Sequence, residues 1–169
     1  MSLSQALLPE FDQEMAGIRR VLERIPADRF DFKPHPRSFS IGHLASHLAT
    51  VPHWAAGTMV TTEMDFALPE VREMMPKPGT NPQEVLDLFD KGLAEAREAI
   101  TRASDADFAV VWSGKNEGKT LFAFPRIAVL RSFVLNHAIH HRGQLTVYLR
   151  LLDIPVPALY GPSADEGGM

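Results

Sequence analysis

Three histidines lie within five positions of the segment LNHAIHHRGQL, residues 135–145: His137, His140 and His141. The segment is otherwise largely apolar and contains no acidic residue. On an α-helix, positions four apart differ by about 40° in direction, so His137 and His141 would face the same side. His140 would fall about 60° away, on the flank of that side. The pair formed by His137 and His141 could therefore hold one metal ion, because neutral imidazole binds divalent transition metals.

The segment SIGHLASHLATVPHW could supply a further ligand. His47 lies in the middle of a mostly apolar helical face, because six other positions fall within about 80° of it: Ser40, Leu44, Val51, Trp54, Ala55 and Thr58. His43 lies one turn earlier at the edge of this face, whereas His53 points away. A stable metal site needs at least a third protein ligand, so we predict a three-histidine site formed by His47, His137 and His141.

The alternative for each of these histidines is a structural role. A histidine on an apolar face is often a core residue that is hydrogen-bonded to a neighbour. Three such residues on two facing helices would each need a separate buried partner, so the pattern favours metal binding, although H-x-x-x-H also occurs by chance. We expect His140 on a flank or an interface, and His35 and His53 at loop or surface positions.

Four segments show the helical spacing of apolar residues. Ser40 is a plausible N-cap for the second of them. In the third, Asn81 can cap the helix, Pro82 suits its first position and Glu84 completes a capping box. Pro26 ends the first helix. The four predicted helices run from about residue 4 to 25, from about 40 to 61, from 82 to 100 and from about 125 to 152. The fourth carries the histidine cluster.

The connections between the predicted helices differ in kind. Residues 62–80 contain three prolines and indicate a long crossover, whereas residues 108–124 have the pattern of a short β-hairpin. The tail after residue 152 contains three prolines and cannot continue the helix. The sequence therefore predicts an all-α fold, a four-helix bundle with a long crossover between helices 2 and 3 and a short β-hairpin between helices 3 and 4. We expect residues 1–169 to form a single domain.

The segment SGKNEGKT, residues 113–120, nearly matches a phosphate-binding P-loop. Its first glycine is one residue too close to the second, and a P-loop must also open a helix whose N-terminus faces the phosphates. Here Thr120 leads into LFAFP, which is predicted to be extended and to stop at proline. We therefore interpret the segment as the turn of the hairpin.

The composition excludes several classes of function. The chain of 169 residues has a net charge of −4, no cysteine and no block of lysine and arginine. Disulfides, thiolate metal ligands and a thiol nucleophile are therefore impossible, and a nucleic-acid partner is not expected. No apolar stretch approaches the roughly 18 residues of a membrane span, so no membrane partner is expected. The N-terminus lacks the pattern of a signal peptide, and we expect a cytoplasmic protein.

Two ligand segments and the tail resemble the DinB/YfiT-like superfamily of damage-inducible proteins. The resemblance lies in SFSIGHLASHLA, in NHAIHHRGQL and in RLLDIPVPALYGPSADE, and it spans nearly the whole chain. It implies a four-helix bundle, commonly a dimer, with a divalent metal ion, typically nickel or zinc, held by three histidines. Carried onto this sequence, those ligands are His47, His137 and His141, the residues that the helix geometry selects.

The resemblance also implies an activity. Characterised relatives are thiol-dependent transferases or isomerases that use small thiols such as bacillithiol or mycothiol. A low-molecular-weight thiol as co-substrate suits a chain without cysteine, because a metal ion with open positions lowers the pKa of a bound thiol. The implied partner is a small-molecule substrate of unknown identity. Where relatives often carry an acidic or other residue one turn before the ligand of helix 2, this chain has His43. That residue could be a fourth ligand, a proton acceptor or a helix-start residue.

Two other classes of function compete with the transferase. A metal-dependent hydrolase of the H-E-x-x-H type places a glutamate beside its first histidine, but Ala138 and Ile139 follow His137 here. His43 is the only nearby candidate for a base. The third class is a non-catalytic stress-response module. Structural zinc sites usually have four protein ligands, so a site of three ligands is weak evidence against this class. Di-iron chemistry is not expected, because Glu-x-x-His is missing.

Several other side chains have predicted roles beside the site. Trp54, Gln144, Tyr148 and His43 are candidates for lining a substrate pocket, although Trp54 and Tyr148 also suit the core. Arg142 points away from the proposed metal and suits a solvent or interface role. Four apolar residues of helix 4 lie outside its inward face: Phe133, Ile139, Val147 and Leu151. We expect part of this surface to meet neighbouring helices or the hairpin of residues 108–124, and the remainder predicts a homodimer.

Overall fold

The computed structural model describes residues 1–167, and within that range four long helical regions carry most of the core. They are α1 (Leu3–Leu22), α2 (Ile41–Val60), α4 (Pro82–Arg102) and a final run that ends in α7 (His137–Leu151). Shorter elements are a 3-10 turn (Ala27–Arg29), α3 (Pro69–Met74), α5 (Asp105–Ala109) and three strands, β1 (Glu63–Asp65), β2 (Val111–Asn116) and β3 (Lys119–Pro125). The final run consists of α6 (Arg126–Val129), a π-helical segment (Leu130–Asn136) and α7.

The predicted helix starts are set by capping side chains. Ser40 accepts the backbone N–H of His43, and Asn81 accepts that of Glu84, so both predicted N-caps are present. The predicted capping box differs in one bond. The Glu84 carboxylate accepts from the backbone N–H and the hydroxyl of Thr80, both at 2.8 Å, and not from the N-cap residue.

The end of the first helix differs from the prediction. α1 stops at Leu22, three residues before Ile25, and the chain then turns through the 3-10 segment. Ile25 is nevertheless buried in the core. An apolar residue can continue the helical spacing after the helix itself has ended. The spacing of apolar residues in the sequence therefore overestimates the length of the helix.

The long helices pack around a common core. α1 packs against α4, α4 against α2, α2 against α7, and α7 against α1. The largest fully buried side chains come mainly from α1, α2, α4 and the π-helical segment, and include Phe11, Met15, Ile18, Leu44, Leu48, Phe89, Ile100, Leu130 and Leu135. Among the helices within residues 1–167, none is both long and apolar enough to cross a bilayer.

The chain is mostly helical but contains a three-stranded sheet within the described residues, so the all-α prediction is only partly right. The predicted hairpin is present as β2 and β3, which pair antiparallel. The crossover adds β1, which pairs in parallel with β2. A strand of three residues is too short to show an alternating pattern in sequence, and it forms here because the hairpin edge offers backbone partners.

The P-loop-like segment forms the hairpin turn. Glu117 and Gly118 have φ values of 51° and 74°, the left-handed conformation that a tight two-residue hairpin needs. The Asp65 carboxylate accepts backbone N–H groups from both residues and from Ala67. These bonds, that of Gly118 first, lower the pKa of Asp65. The carboxylate therefore ties the crossover to the hairpin.

Arg142 is buried, and the predicted solvent or interface role is wrong. It is 2% exposed, and its Nη1 lies 2.8 Å from Oε2 of Glu14 on α1. The hydroxyl of Tyr160 in the tail donates to the same carboxylate at 2.8 Å. The prediction rested on the direction of Arg142 away from the proposed metal, but on that side the helix packs against α1.

His53 is also more buried than predicted. Its Nδ1 lies 3.0 Å from Oε2 of Glu95, and its Nε2 lies 3.0 Å from the carbonyl oxygen of Leu88, so the ring bridges α2 to α4. The ring packs directly on Gly92, where a methyl group would lie 2.5 Å from His53 Cδ2. Glycine at this position allows the two helices to approach closely.

We expect Gly92→Ala to lower the free energy of unfolding by about 1 to 3 kcal/mol, the usual cost of overpacking, despite the better helix propensity of alanine. The added methyl group would displace a ring that is held at both nitrogens. Urea unfolding followed by circular dichroism measures the change. Gly143→Ala on α7 is the matched control, because a methyl group there meets open space. Equal stability of the two variants would contradict this account of the helix contact.

Candidate metal centre

The three histidines of the predicted site come from two packed helices. His47 lies near the middle of α2, and His137 is the first residue of α7, directly after the π-helical segment. His141 follows one turn later on α7. Because α2 and α7 pack against each other, the rings from the two helices meet at their interface.

The three rings form one cluster. The ring centroids are 5.0 Å apart for His47 and His137, 4.8 Å for His47 and His141, and 4.4 Å for His137 and His141. One nitrogen from each ring lies within 4.8 Å of the others. Within residues 1–167, this is the one group of three or more potential ligands that converges in this way.

The hydrogen bonds of the rings indicate which nitrogens face the centre. The Nε2 atoms of His47 and His137 are 2.8 Å apart, so both point to the same place. Nδ1 of His141 bonds to Oε1 of Gln144 at 2.7 Å. An imidazole that donates from Nδ1 keeps the Nε2 lone pair free, which is the usual arrangement of a histidine ligand and its supporting residue.

The electrostatic environment favours the neutral forms of His137 and His47. Burial lowers the pKa of His137 from 6.5 to about 4, and the neighbouring charges of His141, His47 and His140 add to the effect. Burial also lowers the pKa of His47, with smaller contributions from His141 and His43. Neutral imidazoles at pH 7 have the lone pairs that a metal ion requires.

The donor set fits a divalent transition metal. Three half-buried imidazoles converge, with no carboxylate in the group among residues 1–167, and imidazole suits zinc, nickel, copper and iron. Three protein ligands leave coordination positions open, which distinguishes a reactive site from a closed structural one. The geometry that was predicted for His47, His137 and His141 is present, and their binding of a metal stays a prediction.

A cleft of about 530 Å³ lies beside the cluster and includes His47 in its wall. His43 also lines this cleft, and its exposed ring stacks on Phe39 with centroids 4.3 Å apart. The remaining wall is partly polar, with Ser46 and Thr50 from α2. A small polar molecule could therefore reach the histidine cluster from this side.

The other predicted pocket residues lie at different places. Trp54 lines the cleft, and its ring centroid lies 5.4 Å from that of His47 and 5.2 Å from that of His137. Gln144 is exposed and contacts His141, as described above. Tyr148 is buried and donates to the carbonyl oxygen of Phe39 at 3.3 Å. Neither Gln144 nor Tyr148 is among the residues that line this cleft.

Sequence reasoning missed two contributions to the site. Met75 and Pro76 of the crossover form part of the wall of the cleft, but no chemical motif marks them in the sequence. The π-helical segment before His137 was also missed. A π turn has one residue more per turn than the α-helix assumed in the prediction, and it leaves no clear pattern of residue types.

Comparison with known proteins places the chain among bacterial relatives. The model of the DinB family matches residues 1–167. The uncharacterized protein YrdA of Bacillus subtilis strain 168 is 23% identical over 159 residues, which cover 94% of this chain and 89% of that protein.

Solved structures with the same fold come from related bacteria. A DinB-like protein from Bacillus cereus ATCC 10987 has a TM-score of 0.68 and 20% identity, with 92% of this chain and 97% of that chain covered. The DinB-like protein YjoA from Bacillus subtilis has a TM-score of 0.69 and 18% identity, with 90% and 96% covered. At these identities the likeness shows a shared fold.

The depressed pKa of His137 predicts how the metal-free protein responds to acid. Between pH 6.5 and about 4, the unfolded chain binds a proton at this residue that the folded chain does not bind, so stability falls as the pH falls through this window. Urea unfolding of the chelator-treated protein at several pH values measures the slope.

We expect His137→Gln to flatten this slope relative to the unmutated chain, because glutamine does not titrate. His35→Gln at an exposed position is the control and should leave the slope unchanged. Carboxylates titrate equally in all three proteins, so only the difference between slopes is informative. An unchanged slope in His137→Gln would show that this ring does not resist protonation in the folded state.

Proposed function

This chain belongs to the DinB family, and we propose that it binds one divalent metal ion through His47, His137 and His141 and uses it in a reaction of a small molecule. The observation that carries the proposal is the convergence of three half-buried ring nitrogens at the wall of a cleft. Neutral rings, open coordination positions and an accessible cleft together suit a reactive centre. Nickel and zinc are the metals that we propose, since three imidazoles suit both.

The four long helical regions support a finer classification of the fold. Each packs against two others in a closed cycle, as the helices of a four-helix bundle do. We therefore propose a four-helix bundle as the frame, with the crossover and the hairpin attached at one side. In such a frame, a site between facing helices is held by packing on both sides.

The reaction that we propose is the transfer of a low-molecular-weight thiol to an electrophile, or a thiol-dependent isomerisation. A divalent ion in this site, when bound, would lower the pKa of a thiol and supply a thiolate at neutral pH. The chain itself contains no cysteine, so the nucleophile must come from outside. In transfer, the thiol loses its proton, and its sulfur forms a bond to the electrophile while the leaving group departs with its electron pair.

The residues of the chain have separate roles in this proposal. His47, His137 and His141 hold the ion, and Gln144 fixes the orientation of the His141 ring through Nδ1. His43 lies in the same cleft and is the candidate acceptor for the thiol proton. Its exposed ring can pass that proton to solvent, and its stacking on Phe39 holds it at the mouth.

We also propose that the protein is a homodimer. Several large apolar side chains of the final helical run and of the sheet are exposed: Phe124, Phe133, Val147 and Leu151. Exposed apolar residues of this size commonly mark a surface that another protein covers.

We expect the purified protein to contain about one ion per chain, and His141→Ala to lose it, because two imidazoles do not form a stable site. Elemental analysis of protein purified without a metal-affinity column measures the content. His140→Ala is the matched control, since this neighbouring histidine is exposed and outside the cluster. Equal metal content in His141→Ala and in the unmutated protein would remove the basis of the proposed site.

Thiol transfer is tested with bacillithiol, mycothiol or cysteine and the chromogenic electrophile 1-chloro-2,4-dinitrobenzene. The rate of adduct formation should require the metal, and His43→Gln should lower it about a hundredfold if His43 is the general base. His35→Gln, at an exposed position away from the cleft, is the control. Equal rates with and without the metal would contradict the transferase. Metal-dependent hydrolysis of an ester without thiol would instead identify a hydrolase.

A further inference from the structure

A second and larger cleft lies on the other side of Trp54 from the histidine cluster. Its volume is about 1240 Å³, above the range of roughly 300–1,000 Å³ that is common for small-molecule sites. The second halves of α2 and α4 form its floor, and the crossover with α3 forms one wall. Trp112, Phe122 and Phe133 close the side toward the sheet and the π-helical segment.

The lining of this cleft is dominated by methionine and aromatic side chains. Four methionines and five aromatic residues contribute to it: Met59, Met64, Met74, Met75, Trp54, Phe66, Trp112, Phe122 and Phe133. Methionine is flexible and polarizable, so a lining of this kind adapts to apolar ligands of different shapes. Within the described residues, none of the six residues of α3 is buried.

The two clefts share three lining residues, Trp54, Met75 and Pro76. One part of the Trp54 ring contacts the imidazoles of His47 and His137, and the residue also lines the larger cleft. A molecule that lies against Trp54 in the larger cleft is therefore separated from the histidine cluster by the thickness of one side chain.

The charges at the larger cleft discriminate against anions. Among its lining residues, all within residues 1–167, there is one arginine, Arg102, and no lysine. Five carboxylates line the same cleft: Glu63, Asp65, Glu95, Glu98 and Asp107. Several of them are paired, as Glu95 is with His53, but carboxylates still outnumber the cations. An apolar ligand without negative charge fits this environment best.

We propose that the larger cleft binds the apolar group of the electrophilic co-substrate, and that the substrates are hydrophobic compounds without negative charge whose reactive end reaches the histidine cluster past Trp54. The inference rests on the proposed function for the chemistry at that end. The smaller cleft with His43 then remains for the thiol. The two reactants would approach the cluster from opposite sides.

Binding is tested with two dyes that share one ring system. N-phenyl-1-naphthylamine is uncharged and apolar, and 8-anilino-1-naphthalenesulfonate adds a sulfonate. Both tryptophans of the chain line the cleft, so energy transfer from tryptophan to a bound dye reports occupancy directly. We expect saturable binding of the uncharged dye and weaker binding of the sulfonate. No saturable binding of the uncharged dye, or a preference for the sulfonate, would overturn the inference.

A variant that fills the cleft locates the dye. Gly57 lines the cleft, and the nearest group to a Cβ there is the terminal methyl of Met64 at 3.9 Å. We expect Gly57→Phe to weaken binding of the uncharged dye at least about tenfold, the effect of losing the space for one ring. Gly143→Phe is the control, since it adds the same ring to a helix at a site with open space. If Gly57→Phe does not fold, Ala99→Phe fills the same cleft from α4. If Gly57→Phe and Gly143→Phe bind the uncharged dye with equal affinity, the dye does not lie in this cleft.

The reaction is tested with two electrophiles that carry the same reactive group, chloroacetamide and N-octyl chloroacetamide. The kcat/KM of the metal-loaded protein should favour the octyl compound; Gly57→Phe should remove this preference, whereas Gly143→Phe should retain it. Equal kcat/KM for both compounds in the unmutated protein would overturn the assignment of substrate class.

Dye binding and metal content are measured on the same samples, with and without metal. Metal binding without dye binding refutes the cleft and leaves the metal centre standing. Dye binding without any thiol transfer refutes the proposed function together with the substrate assignment, and leaves an apolar binding site.

Discussion

The contact between α2 and α7 is the constraint on which the candidate site depends. It takes the imidazoles of His47, His137 and His141 partly out of water, and a buried basic ring must be either neutral or paired with an acid. Among residues 1–167, the group that converges here consists of histidines alone, and burial favours the neutral forms of His47 and His137 with their free lone pairs. Packing on the far side, where Arg142 is anchored to Glu14, holds α7 against α1 and so fixes the direction from which its histidines approach.

Helical spacing was enough to place the three rings of the cluster together, because each ring lies within a regular stretch where position along the chain fixes direction. The helix starts at Ser40 and Asn81 were equally predictable, since a cap is a local bond. The elements that were missed depend on distant partners. β1 exists because β2 offers an edge, and the burial of Arg142 needs Glu14 from the other end of the chain. No local pattern encodes such a pairing.

Trp54 has a central position in the functional proposals. It packs against two rings of the cluster and lines both the smaller cleft with His43 and the larger cleft. An aromatic ring suits this place, because its flat faces can contact different surroundings and its size excludes water. In the proposed reaction, the same side chain would orient the electrophile and protect the cluster from bulk solvent.

The π-helical segment Leu130–Asn136 changes the direction in which successive side chains of the final helix point, immediately before His137. Phe133, inside this segment, points toward the sheet, where its ring stacks on Phe122, while α7 after the segment directs His137 and His141 toward α2. A uniform helix would couple these two orientations rigidly, so that a mutation improving one contact would disturb the other. The extra residue per turn uncouples them. Evolution can therefore vary the sheet-facing wall, and with it the molecules admitted, without losing the alignment of the ligands.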